Sequence, residues 1–276
     1  MRETIIVRTP SETAQIGVMD MIKIEKVEVV GLEHAIIGMR NPKNSWDKSD
    51  SGICGGENHI GCLNCSNGGS RIDCEQKMMM DIQYGYGIKP CGKEDFDGEY
   101  QVGHNDLELM TKLVKGGPVH AKYRRMIVVY LDITAPLYWW KEFDTYKVGT
   151  VSNSCSTMHK IHDREFTIDD FSCEYLIDDY ERKHDVDDWE YFTTLKIVID
   201  SLNCARNEYL RTEDKKYWWQ MIQLLPSSYN QKRTIMLNYE VLVGIYKWRH
   251  NHKLDEWVEF CKWIEKLPYS EIITGN

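Results

Sequence analysis

Between Thr134 and His159 the chain reads TAPLYWWKEFDTYKVGTVSNSCSTMH. Two adjacent tryptophans, a Lys-Glu-Phe-Asp-Thr-Tyr-Lys run and a turn rich in Ser, Thr, Asn, Cys and His fall within this one stretch. A packed core needs apolar periodicity and gains little from so many small hydroxyls and amides in succession. Such groups suit hydrogen bonding around a polar ligand, with aromatic rings as flat walls. The plainer alternative is a helix start and a connecting loop with incidental aromatics.

Three other constellations could carry chemistry. Cys54, Cys62, Cys65 and Cys74 follow a C-x7-C-x2-C-x8-C pattern, with His59 inside it and Cys91 beyond. The Cys62–Cys65 pair has the bite of a tetrahedral metal knuckle, so a structural zinc is one reading. Free thiols or disorder, and a disulfide or cluster, are the others. His120 precedes Lys122, Arg124 and Arg125, a short basic cluster in an acidic chain that suits an anionic ligand or a solvated strand entrance. In residues 224–257, helical spacing sets Asn238, Leu242, Ile245 and Arg249 along one face. An inward Arg there needs a phosphate or carboxylate partner, and an outward one would pair with Glu256 or Asp255.

These groups need a frame. Ile22–Val30 alternates apolar and charged residues and reads as a half-buried strand. Residues 41–101 form a long Gly-, Asn-, Asp-, Ser- and Cys-rich insertion, which a zinc ion would help to order. Asn105 or Asp106 is placed to cap a helix that Gly116 and Gly117 stop. Arg125–Ile133 is the strongest strand signal, and Pro136 opens a helix through Trp139 and Trp140. Further helices are predicted over Trp189–Arg211, Lys215–Leu224, Gln231–Arg249 and Leu254–Lys266, with Leu225-Pro226 as punctuation. Strands first and helices later predict an α+β protein: an antiparallel sheet flanked by helices with a helical C-terminal half. Residues 1–20 are expected to be a flexible leader, and 21–276 a single domain.

A chain of 276 residues with 42% hydrophobic and 28% charged content has the composition of a globular protein with a sizeable core. No apolar run approaches the roughly 20 residues that span a bilayer. The first residues lack a secretory apolar region, and nine cysteines suggest reduced thiols, so a cytoplasmic location is expected. A net charge of −9 argues against general nucleic-acid binding.

With these segments in hand, the chain resembles the flavin-dependent thymidylate synthases over about 150 residues, Gly116 to Glu265. The family signature is Arg-Gln-x-x-Arg-His-Arg-x-x-Ser-x-Asn-x-x-Ser-x-Arg-Tyr. Lys141 through Thr150 fall in register with its first ten positions. After one inserted residue, Asn153 and Ser156 meet its Asn and Ser, and His159 meets its terminal Tyr. His120 matches a histidine of the flavin region. Leu225-Pro226, Asn238, Leu242 and Arg249 keep the order of the family's Leu-Pro, Asn, Leu and phosphate-holding Arg.

The resemblance implies a thymidylate-synthase-complementing fold and a homotetramer. It also implies a reductive methylation of dUMP or a related pyrimidine nucleotide, with FAD, NADPH and methylenetetrahydrofolate. Glu142, Asn153 and Ser156 would border the reacting base. His120, Thr145, Tyr146 and Lys147 would face the flavin, with Trp139 and Trp140 available to stack. Arg249, Asn238 and His159 would bind the substrate. The departures are specific. Thr145-Tyr146-Lys147 stands where the family has Arg-His-Arg, Glu142 where it has Gln, and Met158 and Ile222 where it has arginines. Each lost guanidinium removes charge-assisted bonds to an anionic ligand. The alternative implied is a non-catalytic nucleotide-binding or assembly module that keeps the fold.

Overall fold

The computed structural model describes residues 7–8, 21–53, 100–177 and 190–275. Its centre is β5 (Val128–Pro136), where Val129, Leu131, Ile133 and Ala135 turn inward and are buried, while Tyr130 on the other face is exposed. Antiparallel partners flank it, β2 (Lys23–Val30) on one side and β7 (Asn230–Asn238) on the other. The edges are β1 (Val7–Arg8) and β6 (Thr150–Ser154), giving the order β1-β2-β5-β7-β6. Val7 and Arg8 lie in the stretch expected to be a loose leader, yet they pair with Val29 and Glu28. Val7 is β-branched and suits a strand.

Helices gather on the inward face. They are α1 (Leu32–Arg40), α2 (His104–Lys115), α3 (Leu137–Phe143), α6 (Tyr239–Arg249), α7 (Asp255–Ile264) and α8 (Glu271–Thr274). Their buried residues form one cluster with the strands, centred on Trp139, Trp140, Phe143, Trp257 and Phe260. A second cluster joins Phe166 and Phe171 to α4 (Tyr191–Thr212) and α5 (Lys215–Leu224) through Leu195, Ile199, Leu202 and Met221. The expected α+β architecture is present as mixed helices and antiparallel sheet.

Three expectations are corrected. Gln231–Arg249 is not one helix: Asn230–Asn238 is a central strand, and the helix begins only at Tyr239. Ile235 and Leu237 enter the core at strand spacing, and the Asn238 side chain then accepts from the Val241 N–H as the helix cap. The C-terminal half is therefore not wholly helical. Arg125–Met126 belongs to a 3-10 turn, and the strand starts at Val128. Neither Asn105 nor Asp106 caps α2. Asp50 does so from a neighbouring loop, accepting from the backbone N–H groups of Asn105 (2.8 Å) and Asp106 (3.1 Å). Asp106 itself is fully buried and receives Arg40 Nε at 2.5 Å and the hydroxyls of Ser49 and Ser51 at 2.6 Å. That clamp fixes the base of the 41–101 insertion. There, β3 (Gly52–Ile53) and β4 (Tyr100–Gln101) make a two-stranded ribbon.

Two features set the sheet's surroundings. Gly31 links β2 to α1 at φ 91°, and a Cβ there would lie 2.1 Å from the Met126 carbonyl oxygen. Only glycine fits that approach. On the outward face, Asp132 accepts from Thr234 Oγ1 at 2.6 Å and pairs with Lys26 (3.1 Å) and Lys232 (3.2 Å). The Thr234 bond, followed by those from Lys26 and Lys232, outweighs burial and holds its carboxyl down to about 2.

Candidate functional site

Four elements converge beside the aromatic core. Helix α3 is short and strongly anchored, since Trp139, Trp140 and Phe143 are buried on its inner side. Glu142 falls on its outer side, and the chain then turns at Asp144 to bring Tyr146 back alongside. The last residue of α6 is Arg249, followed by a turn carrying His252 and by α7, which presents Trp257.

Arg249 is the hub of the contacts. Its Nη1 donates to Glu142 Oε2 at 2.6 Å and its Nε to the Tyr146 hydroxyl at 3.0 Å. The guanidinium carbon lies 4.8 Å from the Trp257 ring centroid and 5.8 Å from that of Tyr146. Guanidinium over aromatic faces contributes about 0.5–2 kcal/mol per contact, depending on desolvation. Trp257 Nε1 donates to the same Glu142 oxygen at 3.1 Å. His252 Nε2 lies 2.7 Å from Arg249 Nη1 and 3.6 Å from Glu142 Oε2. The Arg249 and Glu142 side chains are 18% and 35% exposed, so the ion pair can be reached from solvent. A planar cation with aromatic walls and several converging donors is built to hold a carboxylate or phosphate.

Glu142, Tyr146 and Arg249, expected in three different roles, therefore meet at one point. Glu256 and Asp255, the carboxylates expected opposite an outward Arg249, are engaged elsewhere. Glu256 is buried and accepts from the Tyr138 hydroxyl, while Asp255 accepts from that of Tyr175 at 2.5 Å. His252 and Trp257 escaped the sequence reading. The His250-x-His252 run was a visible signal, but three residues across a helix end carry no fixed periodicity.

The remaining predicted residues lie apart from this hub or serve local structure. Asn238 caps the opposite end of the 11-residue helix α6, about 16 Å from Arg249 at 1.5 Å per residue. Gly149, at φ 82°, turns beneath it, and a Cβ there would lie 3.0 Å from Asn238 Nδ2. Asn153 lies on the exposed edge strand β6, paired with Thr234. The Ser156 hydroxyl accepts from the backbone N–H groups of Met158 and His159, forming a local turn. That turn docks on α5, where Trp218 Nε1 donates to the Met158 carbonyl at 3.0 Å. Thr145 Oγ1 donates to the Glu142 carbonyl at 2.7 Å, and Lys147 and His120 are exposed.

Trp139 and Trp140 are core residues and offer no face to a ligand. Trp140 Nε1 donates to the Gln231 carbonyl, and its ring carries the Arg233 guanidinium at 4.2 Å. Arg233, also missed, pairs with Asp144 at 2.7 Å. Cys54, Cys62, Cys65 and Cys74 lie outside the described residues. Among the described residues, no group of three or more His, Cys, Asp or Glu is arranged to hold a metal.

No protein-family model and no curated protein matches the chain. Solved structures do. One is the flavin-dependent thymidylate synthase ThyX of Helicobacter pylori complexed with FAD and dUMP. It has a TM-score of 0.44 and 14% identity, covering 73% of this chain and 91% of that one. Another structure of thymidylate synthase X from Helicobacter pylori, with FAD and dUMP, gives 0.43 and 14%, covering 73% of this chain and 89% of that one.

Proposed function

We propose that this chain is a thymidylate-synthase-like protein that binds the phosphate of a pyrimidine nucleotide at Arg249. The observation that carries the reading is the convergence on one spot of Arg249, Trp257 Nε1, His252 and the Tyr146 hydroxyl, walled by two aromatic rings. A phosphate monoester offers three oxygens to those donors, and Tyr146 can flank a base or sugar. The pairing of Arg249 with Glu142 favours a binding module over a synthase, because the neutral amide expected beside the pyrimidine is a carboxylate already committed to Arg249. The flavin positions fit poorly. Thr145 Oγ1 is used by the Glu142 carbonyl, and of Thr145, Tyr146 and Lys147 only the last is cationic.

A thermal-shift screen tests the reading. Deoxyuridine monophosphate should raise the midpoint in a concentration-dependent way, and Arg249→Ala should abolish the rise without unfolding the protein. No rise with any nucleotide would reject it. Tritium release from 5-labelled dUMP, with FAD, NADPH and methylenetetrahydrofolate supplied, tests the synthase alternative. Turnover there would replace the binding-module reading with the enzymatic one.

A further inference from the structure

The contacts of Glu142 are unbalanced. Among the described residues, its side-chain bonds and close charges all fall on one oxygen, Oε2, which faces Arg249 Nη1, Trp257 Nε1 and His252 Nε2 at 2.6, 3.1 and 3.6 Å. The histidine sharpens the imbalance. Its Nδ1 accepts from the Leu254 N–H at 3.2 Å, which leaves Nε2 turned toward the ion pair. Nε2 lies 2.7 Å from Arg249 Nη1 and 3.6 Å from Glu142 Oε2. One carboxylate oxygen therefore serves three nitrogens.

The carboxylate is also poorly placed to stay. Glu142 sits in the last turn of α3, where the helix carbonyls present partial negative charge, whereas Arg249 ends α6, where a cation is favoured. A third of the Glu142 side chain is open to solvent, which leaves it a way out.

We infer that Glu142 is an internal substitute for the ligand's anion, a latch on Arg249 that a phosphorylated ligand must displace. The inference rests on the nucleotide-binding reading and adds its regulation. The carboxylate holds the site in order, and a ligand binds only to the extent that its phosphate outcompetes that carboxylate. A tetrahedral oxyanion gives each donor its own oxygen, which is the advantage it has over Oε2. Neutral nucleosides have no group that can release the latch.

Calorimetric titration of the full chain and its Glu142→Gln variant, with dUMP and with inorganic phosphate, tests this. Removing the charge while keeping the shape should tighten dUMP binding about tenfold, a gain of about 1.4 kcal/mol. A parallel gain for inorganic phosphate places the competition at the phosphate itself. A gain for inorganic phosphate alone keeps the latch and assigns the site to a bare oxyanion. Equal affinities in the two proteins overturn the latch while leaving nucleotide binding intact. Failure of both proteins to bind either probe removes the nucleotide reading and the latch with it. Glu142→Asp, which keeps the charge but withdraws it by one methylene, gives a second reading if the Gln variant does not fold. It should gain affinity in the same direction, and no gain in a folded Asp variant overturns the latch.

Discussion

Arg249 sits where sequence alone could place a cation but not name its partner. Glu142 is more than a hundred residues away in the chain, and no periodicity links the two. The aromatic residues around them carry the same lesson. Trp139 and Trp140 read as possible stacking surfaces, yet both are packed in the core, and it is Trp257, equally buried, that turns a face to the guanidinium. Cysteine reactivity gives a check at this scale. Cys261 is buried, and desolvation, followed by Glu265, pushes its thiol up to about 12. Cys155 and Cys204 are exposed. Brief iodoacetamide treatment at pH 8 followed by peptide mass spectrometry should find Cys155 and Cys204 modified and Cys261 untouched, because only the thiolate reacts. Modification of Cys261 at their rate would contradict its placement in α7's buried face.

At the scale of elements, β2, β5 and the helix at Lys215–Leu224 were legible to within a few residues, β2 from its alternation and β5 from a nearly continuous β-branched and aromatic run. β7 was not. Its inward positions include Gln231 and Arg233, whose polar side chains break the alternation. They point inward because each finds a partner there. Gln231 Nε2 donates to the Cys155 carbonyl at 2.8 Å, and Arg233 lies over the Trp140 ring. The boundary between β7 and α6 then depends on a single cap. Asn238→Ala removes the acceptor for the Val241 N–H and should cost about 1 kcal/mol, measured by urea unfolding. Asn238→Asp, which keeps the acceptor, should recover most of it. An unchanged Ala variant would mean that α6 takes its start from packing alone.

For the molecule as a whole, the sheet has two unlike faces. The inner one is covered by the aromatic core, and on the outer one a carboxylate and two lysines tie β2, β5 and β7 together. Sequence alternation predicted which residues share a face but not that Asp132 would be nearly buried by its own partners. Its folded pKa of about 2 lies below the ordinary 3.8, so its contribution is fully present above pH 3.8 and is lost as the pH falls toward about 2. Thermal midpoints measured from pH 6 to pH 2 should therefore fall less steeply in Asp132→Asn than in the natural chain below pH 4, from a lower starting value. Parallel curves would show that the outer-face network does not contribute to acid stability.

The phosphate is the group on which binding at Arg249 depends most directly. Titration of the natural chain with dUMP and with deoxyuridine isolates that one group, because the two ligands share base and sugar. Binding through Arg249 predicts that dUMP binds at least about tenfold more tightly than deoxyuridine, the difference expected from a charge-assisted contact of about 1.4 kcal/mol or more. Equal affinities for the two, or no binding by dUMP, would contradict it.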